Sequence, residues 1–367
     1  MPHQAPHAVL PLPNHDEGAR RDFTVSLRGT VNRLARDNEI AFRHRAAPAF
    51  QRSNNRPPRD RHDVRKVLER DPYGQISGAL RVTYQELLWD SVIDSVERQL
   101  PVLLENSRKV TSGRTKGSLR LDPAVKVPRY LNAVDIHMMP GNYDSERVAG
   151  DISAGAIYDR GVFLRVMGTR GAYGEGFGTD VATFLKREMP GFKPRRILDQ
   201  GCSVGGTTFG LSQAFPRAEL HAIDVAAPML RYAHARAESL GAAVHFSQQN
   251  AEKTDFADGS FDFISSFALL HETSTSALRN ILKEAHRLLA PGGLVLYLDL
   301  PEWKTVDLFQ AGNMDWDTIN NAEPFIGKLG DFNRETLMVD AGFAKADVIH
   351  THPTGFPFPL FGARKAG

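Results

Sequence analysis

A single cysteine, Cys202, among 367 residues excludes an internal disulfide. With no secretory leader pattern it points to a reducing compartment, read as cytoplasmic. No apolar run approaches the ~20 residues that a membrane-crossing helix needs, so no membrane span is expected. Arg20-Arg21-Asp22-Phe23 has the opening of a twin-arginine export signal, but Arg28, Arg33 and Arg36 stand where its apolar core should follow. Neither sign of charge dominates. The 45 Lys and Arg face 43 Asp and Glu, and a net +2 makes no demand for nucleic acid or an anionic surface. No Cys or His cluster has metal-ligand spacing, so no metal is expected. Lysine is missing from the first 60 residues, which are rich in Pro, His and Arg and show little periodicity. Residues 1–60 read as a poorly ordered tail with room for one short helix over 25–42.

Beyond the tail the pattern turns helical. Tyr84, Leu87, Leu88, Ser91, Val92, Ser95, Val96 and Leu100 recur at steps of three and four, with Asp90, Asp94, Glu97 and Arg98 between them. Pro101 is expected to kink or end that helix. Residues 61–178 are therefore a helical region, whose later part, with Pro140-Gly141 and a run of glycines from Gly168 to Gly178, lies just ahead of a βα-alternating domain at 179–367. Strands are expected at 196–199, 218–223, 243–247, 261–266 and 293–299, and again at 346–350 and 357–363 after an insertion at 301–332. Alternating strands and helices predict an α/β fold, a doubly wound sheet with helices on both faces.

The most informative stretch is Arg196-Ile-Leu-Asp199-Gln-Gly201-Cys202-Ser203-Val-Gly205-Gly-Thr-Thr208. An apolar strand ends in an acid, passes through a glycine-rich turn and opens a helix, which is a nucleotide-type cradle at the carboxyl edge of a parallel sheet. Asp224 closes the next apolar run, where a carboxylate can take both hydroxyls of a ribose. Ser203 stands where a dinucleotide fingerprint wants its second glycine. Asp199 beside a pyrophosphate would be repelled by about 1–4 kcal/mol at 4 Å. Beside an ammonium and a sulfonium it would be attracted, which selects S-adenosylmethionine over NAD.

On these residues the chain resembles the class I S-adenosylmethionine-dependent methyltransferases, in the branch that modifies small molecules. Asp199 to Gly205 is similar to the family's Asp-x-Gly-x-Gly-x-Gly motif, with Ser203 at the middle glycine. Asp224 matches the ribose-binding acid. Gln249-Asn250-Ala251-Glu252 and Phe256 to Asp262 resemble the segment around the adenine, and Leu288 to Gly293 the turn before the fifth strand. The resemblance implies a Rossmann-like seven-stranded sheet whose last strand runs antiparallel. It also implies a cofactor site of Asp199, Gly201, Cys202, Ser203, Gly205, Asp224, Val225, Asn250, Ala251 and Phe267, and S-adenosylhomocysteine as product. Cys202 is expected to be a small filler under the loop.

Leu270-His271-Glu272 follows the fourth strand and resembles the Leu-His-Asp segment of plant-type O-methyltransferases, whose histidine is the base. A histidine can remove a hydroxyl proton near neutral pH, and His271 is the expected catalytic residue, with Glu272 to orient it or to favour the following helix. His137, Met138, Met139 and Tyr143 ahead of the domain, and Trp303, Asn313, Trp316 and Asn320 in the insertion, are candidate substrate contacts. Among them His137, Tyr143, Trp303 and Asn313 are the expected ligands of an apolar or aromatic acceptor. The expected activity is methyl transfer to a hydroxyl or similar nucleophile of a small metabolite, with a homodimer as the candidate assembly. Two other readings stay open. One is a nucleic-acid methyltransferase that uses the arginine-rich tail and the Lys109–Lys116 loop, although the fourth strand carries Ser-Ser-Phe-Ala instead of the Pro-Pro sequence of many base-modifying enzymes. The other is a non-catalytic cofactor-binding protein.

Overall fold

A computed structural model of the chain describes residues 3–367. The helical part comprises α1 (His15–Ala41), α2 (Ala47–Asn54), α3 (Arg61–Arg70) and α4 (Pro72–Thr111), followed by β1 (Ser118–Arg120), α5 (Arg129–Asn132) and α6 (Ser153–Arg165). The sheet domain begins with α7 (Gly176–Glu188), β2 (Arg196–Gln200), α8 (Gly206–Ala214), β3 (Glu219–Asp224), α9 (Ala227–Leu240) and β4 (His245–Gln248). It continues with β5 (Phe261–Phe267), α10 (Thr275–Leu288) and β6 (Leu289–Leu298). The insertion folds as α11 (Leu308–Asn320) and α12 (Ile326–Asp331), and the chain closes with α13 (Arg334–Asp340), β7 (Val348–Thr351) and β8 (Leu360–Arg364).

The strands form one sheet in the order β1-β4-β3-β2-β5-β6-β8-β7. Only β8 runs antiparallel to its neighbours. The doubly wound α/β expectation holds, with one strand more than seven. The extra one is β1, which follows the basic loop and pairs with the edge strand β4 in parallel (Ser118 opposite His245). Reversal of strand order beside β2 places a crevice at the carboxyl ends of β2, β3 and β5, where open α/β sheets bind ligands. Gly178 permits α7 to lie on α8. A Cβ there would stand 2.1 Å from the Thr207 carbonyl oxygen, so no other residue fits.

The N-terminal expectation needs correction. Residues 15–54 are helical, and even Val9 is fully buried. The reason lies in the interface chemistry. Helix α1 opens on a capping box, Asn14 with Glu17, and the face it turns to α4 is polar. Glu17 takes the Arg98 guanidinium at 2.6 Å, and Arg21 donates to the Ser91 carbonyl and the Ser95 hydroxyl. Such a helix shows no apolar stripe. Helix α4 also runs through Pro101 instead of ending there. Its far turns are tied to the N-terminal segment by Gln99, which donates to the Leu12 carbonyl, and by Asn106, which donates to that of Ala8.

The helical region shares a core with the sheet domain. Val31, Tyr84, Trp89, Val92 and Ile157 form one apolar cluster with Met229 and Tyr232 of α9. Each such side chain fully buried is worth about 1.5–3 kcal/mol. The insertion docks on the same region, with Phe309 against Val64, Val67 and Leu68, and Asp315 paired to Arg61 and Arg65. This docking brings the loop at Asn321–Phe325 over the carboxyl edge of the sheet.

Candidate active site

At that edge a cavity runs from the glycine turn to the helical region. Its sheet-side wall holds Asp199, Gly201, Cys202, Ser203, Asp224, Val225, Asn250, Ala251 and Phe267, as the motif reading expects. Gly205 is the exception. Its φ of 75° lets the chain turn into α8, and it faces Ala233 and Phe246 instead of the cavity. Gly201 has a φ of 69°, and a Cβ there would meet Leu269 at 2.7 Å, so glycine keeps the floor open.

Asp199 is almost fully buried. Its Oδ2 accepts from Thr208 Oγ1 at 2.5 Å, and its Oδ1 has no partner. Burial pushes its carboxyl up to about 7, against the hydrogen bond from Thr208. Asp224 accepts from the backbone N–H groups of Ser203 (2.9 Å) and Ala226 (3.0 Å), which anchors the turn. Ser203 takes a left-handed φ of 49°, standing in for the missing glycine, with its hydroxyl buried and unpartnered. Asn250 accepts from the Glu252 N–H in a local turn and still lines the cavity. The free carboxylate oxygen and the open glycine floor suit a cationic adenosine ligand, and Arg170, the one base in the wall, is already paired with Asp180 at 2.9 Å.

The rest of the lining is largely aromatic. Tyr130, Tyr143, Tyr158 and Phe163 face the cavity, and Tyr143 and Tyr158 meet edge to face at 5.4 Å. Phe177 lies on Phe267 with ring centroids 3.6 Å apart. Tyr130, Tyr158 and Phe177 carry no sequence signal, because only folding brings these segments to the edge. Burial holds the Tyr143 phenol well above its ordinary range, and its hydroxyl stands 3.4 Å from Glu272 Oε1.

The other expected substrate contacts lie elsewhere. Trp303 donates to the Gly327 carbonyl and stacks under Arg61, Asn313 accepts from Arg81, and Trp316 sits beneath the Arg81 guanidinium. Asn320 donates back to the Trp316 carbonyl in its own helix, and Met139 is a core residue of the helical region. These side chains serve the docking of the insertion because α11 packs on α3 and α4.

His271 is buried behind the cavity wall, and Ser274 alone caps α10. Its Nδ1 lies 2.7 Å from Asp299 Oδ1 and its Nε2 3.5 Å from Glu272 Oε1. Burial alone would push the imidazole down, but the Asp299 and Glu272 carboxylates outweigh it and hold it up at about 10. His271 does not line the cavity, so this geometry does not bring the expected base to an acceptor proton. Glu272 itself lines the cavity. His137, with a left-handed φ of 57°, lies 2.9 Å from Glu272 Oε1 through Nε2 and against Glu323 through Nδ1. Its carbonyl accepts from Gln85 and Trp89 of α4, which fixes the loop. Glu323 was not foreseen; it reaches the site on the insertion loop.

Residues 197–293 match the family model described as a methyltransferase domain. A demethylmenaquinone methyltransferase of Thermus thermophilus is 35% identical over 114 residues, 29% of this chain and 48% of the relative. A malonyl-[acyl-carrier protein] O-methyltransferase of Pseudescherichia vulneris is 31% identical over 140 residues, 38% of this chain and 51% of the relative. The chain thus spans about half the length of these curated relatives. An O-methyltransferase family protein of Burkholderia thailandensis is a solved structure similar over 80% of this chain and 72% of its own, at 17% identity and a TM-score of 0.46.

Proposed function

The sheet domain belongs to the class I S-adenosylmethionine-dependent methyltransferases, whose methyl donor is S-adenosylmethionine, and on that premise we propose that this chain methylates a small apolar or aromatic acceptor. The single observation that carries the proposal is one cavity lined both by the acids Asp199 and Asp224 and by the rings of Tyr130, Tyr143, Tyr158 and Phe163. When bound, the cofactor supplies an electrophilic methyl carbon on a sulfonium. Asp199 would hold the ammonium through its free oxygen, and Asp224 the ribose hydroxyls. The rings would align the acceptor and keep water from the sulfonium. Glu272 and Tyr143 are the polar groups in reach of an acceptor hydroxyl.

Part of the N-terminal arginine charge is neutralised within the chain, which weakens the nucleic-acid reading. Arg20, Arg43, Arg45, Arg56 and Arg61 are each paired with a carboxylate of the same chain. The relatives named above, which by their names act on a quinone precursor and on a carrier-bound acyl group, support the same class of acceptor. The test is calorimetry with S-adenosylhomocysteine, then mass spectrometry of methyl transfer to a panel of phenols, hydroxyquinones and apolar carboxylic acids. Binding followed by a mass gain on an aromatic or apolar member is expected. No binding of S-adenosylhomocysteine would overturn the proposal.

A further inference from the structure

His137, His271, Glu272 and Glu323 come from three separate parts of the chain and meet in one buried spot. Each can place a donor atom within 4.8 Å of the other three. All four are buried, at 2–8% exposure. From this convergence we propose that the four side chains bind one divalent first-row transition-metal ion, of the zinc and iron class, beside the acceptor end of the cavity.

Several independent features point the same way. Glu272 Oε2 and Glu323 Oε2 are buried with no hydrogen-bond partner, an expense that a bound cation removes. Asp299 accepts from His271 Nδ1 and from the backbone N–H groups of Leu270 and Leu300. A carboxylate behind a ligating imidazole fixes the tautomer, so that the other ring nitrogen points at the metal. Here that nitrogen is Nε2, on the side of Glu272. Two imidazoles with two carboxylates suit zinc, iron or manganese, whereas magnesium and calcium take oxygen donors alone. Donors ~2.1 Å from one ion stand about 3.4 Å apart at tetrahedral angles, so small side-chain rotations close the set.

Charge balance agrees. The carboxylates of Glu272, Glu323 and Asp299 gather three negative charges, and the one fixed cation beside them is Arg165, 3.9 Å from Glu323. A divalent ion added to Arg165 matches those three carboxylates. The Arg165 Nη1 lies 3.0 Å from His137 Nδ1, and its side chain is 30% exposed, which leaves it room to move aside. Glu272 alone of the four lines the cavity, so an exchangeable position on the ion faces an acceptor oxygen. There the ion would act as a Lewis acid, lowering the pKa of a bound hydroxyl.

The metal site rests on these four residues and does not require the methyl-transfer reading. The full chain, purified without an affinity tag and stripped with chelator, is titrated with Co²⁺ as the spectroscopic probe, with Mg²⁺ as control. One Co²⁺ per chain with visible d–d bands, a raised Tm, and displacement by Zn²⁺ are expected. Glu323→Gln, which keeps the shape, should weaken Co²⁺ binding by about 10- to 100-fold. Asp299→Asn, a positioning change, should weaken it without removing it. Absence of the bands and of any Tm response in a folded parent chain would overturn the proposal, and so would parental affinity in Glu323→Gln. S-adenosylhomocysteine binding is measured in parallel. Cofactor binding without Co²⁺ bands removes the metal site alone, and Co²⁺ bands without cofactor binding remove the methyltransferase reading alone.

Discussion

Thr208 holds one oxygen of Asp199 at 2.5 Å and leaves the other, buried, with nothing to accept from. The pair is nine residues apart, strand end to first helical turn. It converts a motif acid into a carboxylate whose ionisation depends on what enters the cavity.

Cofactor affinity should therefore depend on pH. Burial pushes the Asp199 carboxyl up to about 7, and an ammonium ligand favours the ionised form. Affinity for S-adenosylhomocysteine should be full well above pH 7 and fall up to tenfold per unit below it, with a proton released on binding. Asp199→Asn should bind about 10- to 100-fold more weakly and lose that pH dependence. For the empty protein the sign reverses. A carboxyl raised from 3.8 makes folding less favourable as pH climbs toward 7, so Asp199→Asn should have the higher Tm at pH 8. Calorimetry between pH 6 and 8, with thermal melts, checks both.

Asp224→Ala removes the proposed ribose contacts and two backbone hydrogen bonds of the glycine turn. Cofactor affinity should fall by about 10- to 150-fold, or 1.5–3 kcal/mol. An unchanged dissociation constant would place the ribose elsewhere.

His271→Ala strips the buried Asp299 of its imidazole partner. Loss of one partner from a buried pair costs about 3–5 kcal/mol, so the urea midpoint should drop sharply. A His271→Ala chain as stable as the parent would show that the Asp299 contact contributes nothing.

Asp159 joins the N-terminal segment to the sheet domain, accepting from Tyr232 at 2.8 Å and contacting His7 at 3.2 Å. Burial alone would raise its carboxyl, but Arg236 and His7 outweigh it and hold it at about 2. The group contributes about 2 kcal/mol above pH 4, a contribution lost progressively as pH falls from about 4 to about 2. Asp159→Asn should be less stable at pH 7 and should lose that part of the acid dependence. Denaturant titrations at pH 7, 4 and 3 measure it.

The sequence by itself determined the sheet domain and the glycine turn at its carboxyl edge. Alternation of strands and helices, and acids at two strand ends around a glycine turn, are local patterns, because a strand's end and the turn after it are neighbours in the chain. Asp199, Ser203, Asp224 and Asn250 accordingly line one cavity.

Only the tertiary structure decided the N-terminal helices and the aromatic wall of the cavity. Helix α1 buries Glu17 and Arg21 against α4 as well as Val31, so polar contacts break up the apolar period that would announce the helix. Trp303 and Asn313 are committed to docking the insertion, a role that depends on which helix α11 meets. The His137, His271, Glu272 and Glu323 cluster shows no metal-ligand spacing because His137 and Glu323 are brought to the strand end by two separate connections. Chain spacing carries information about short-range geometry. The distance between a loop before the sheet and a loop after it is set by packing alone.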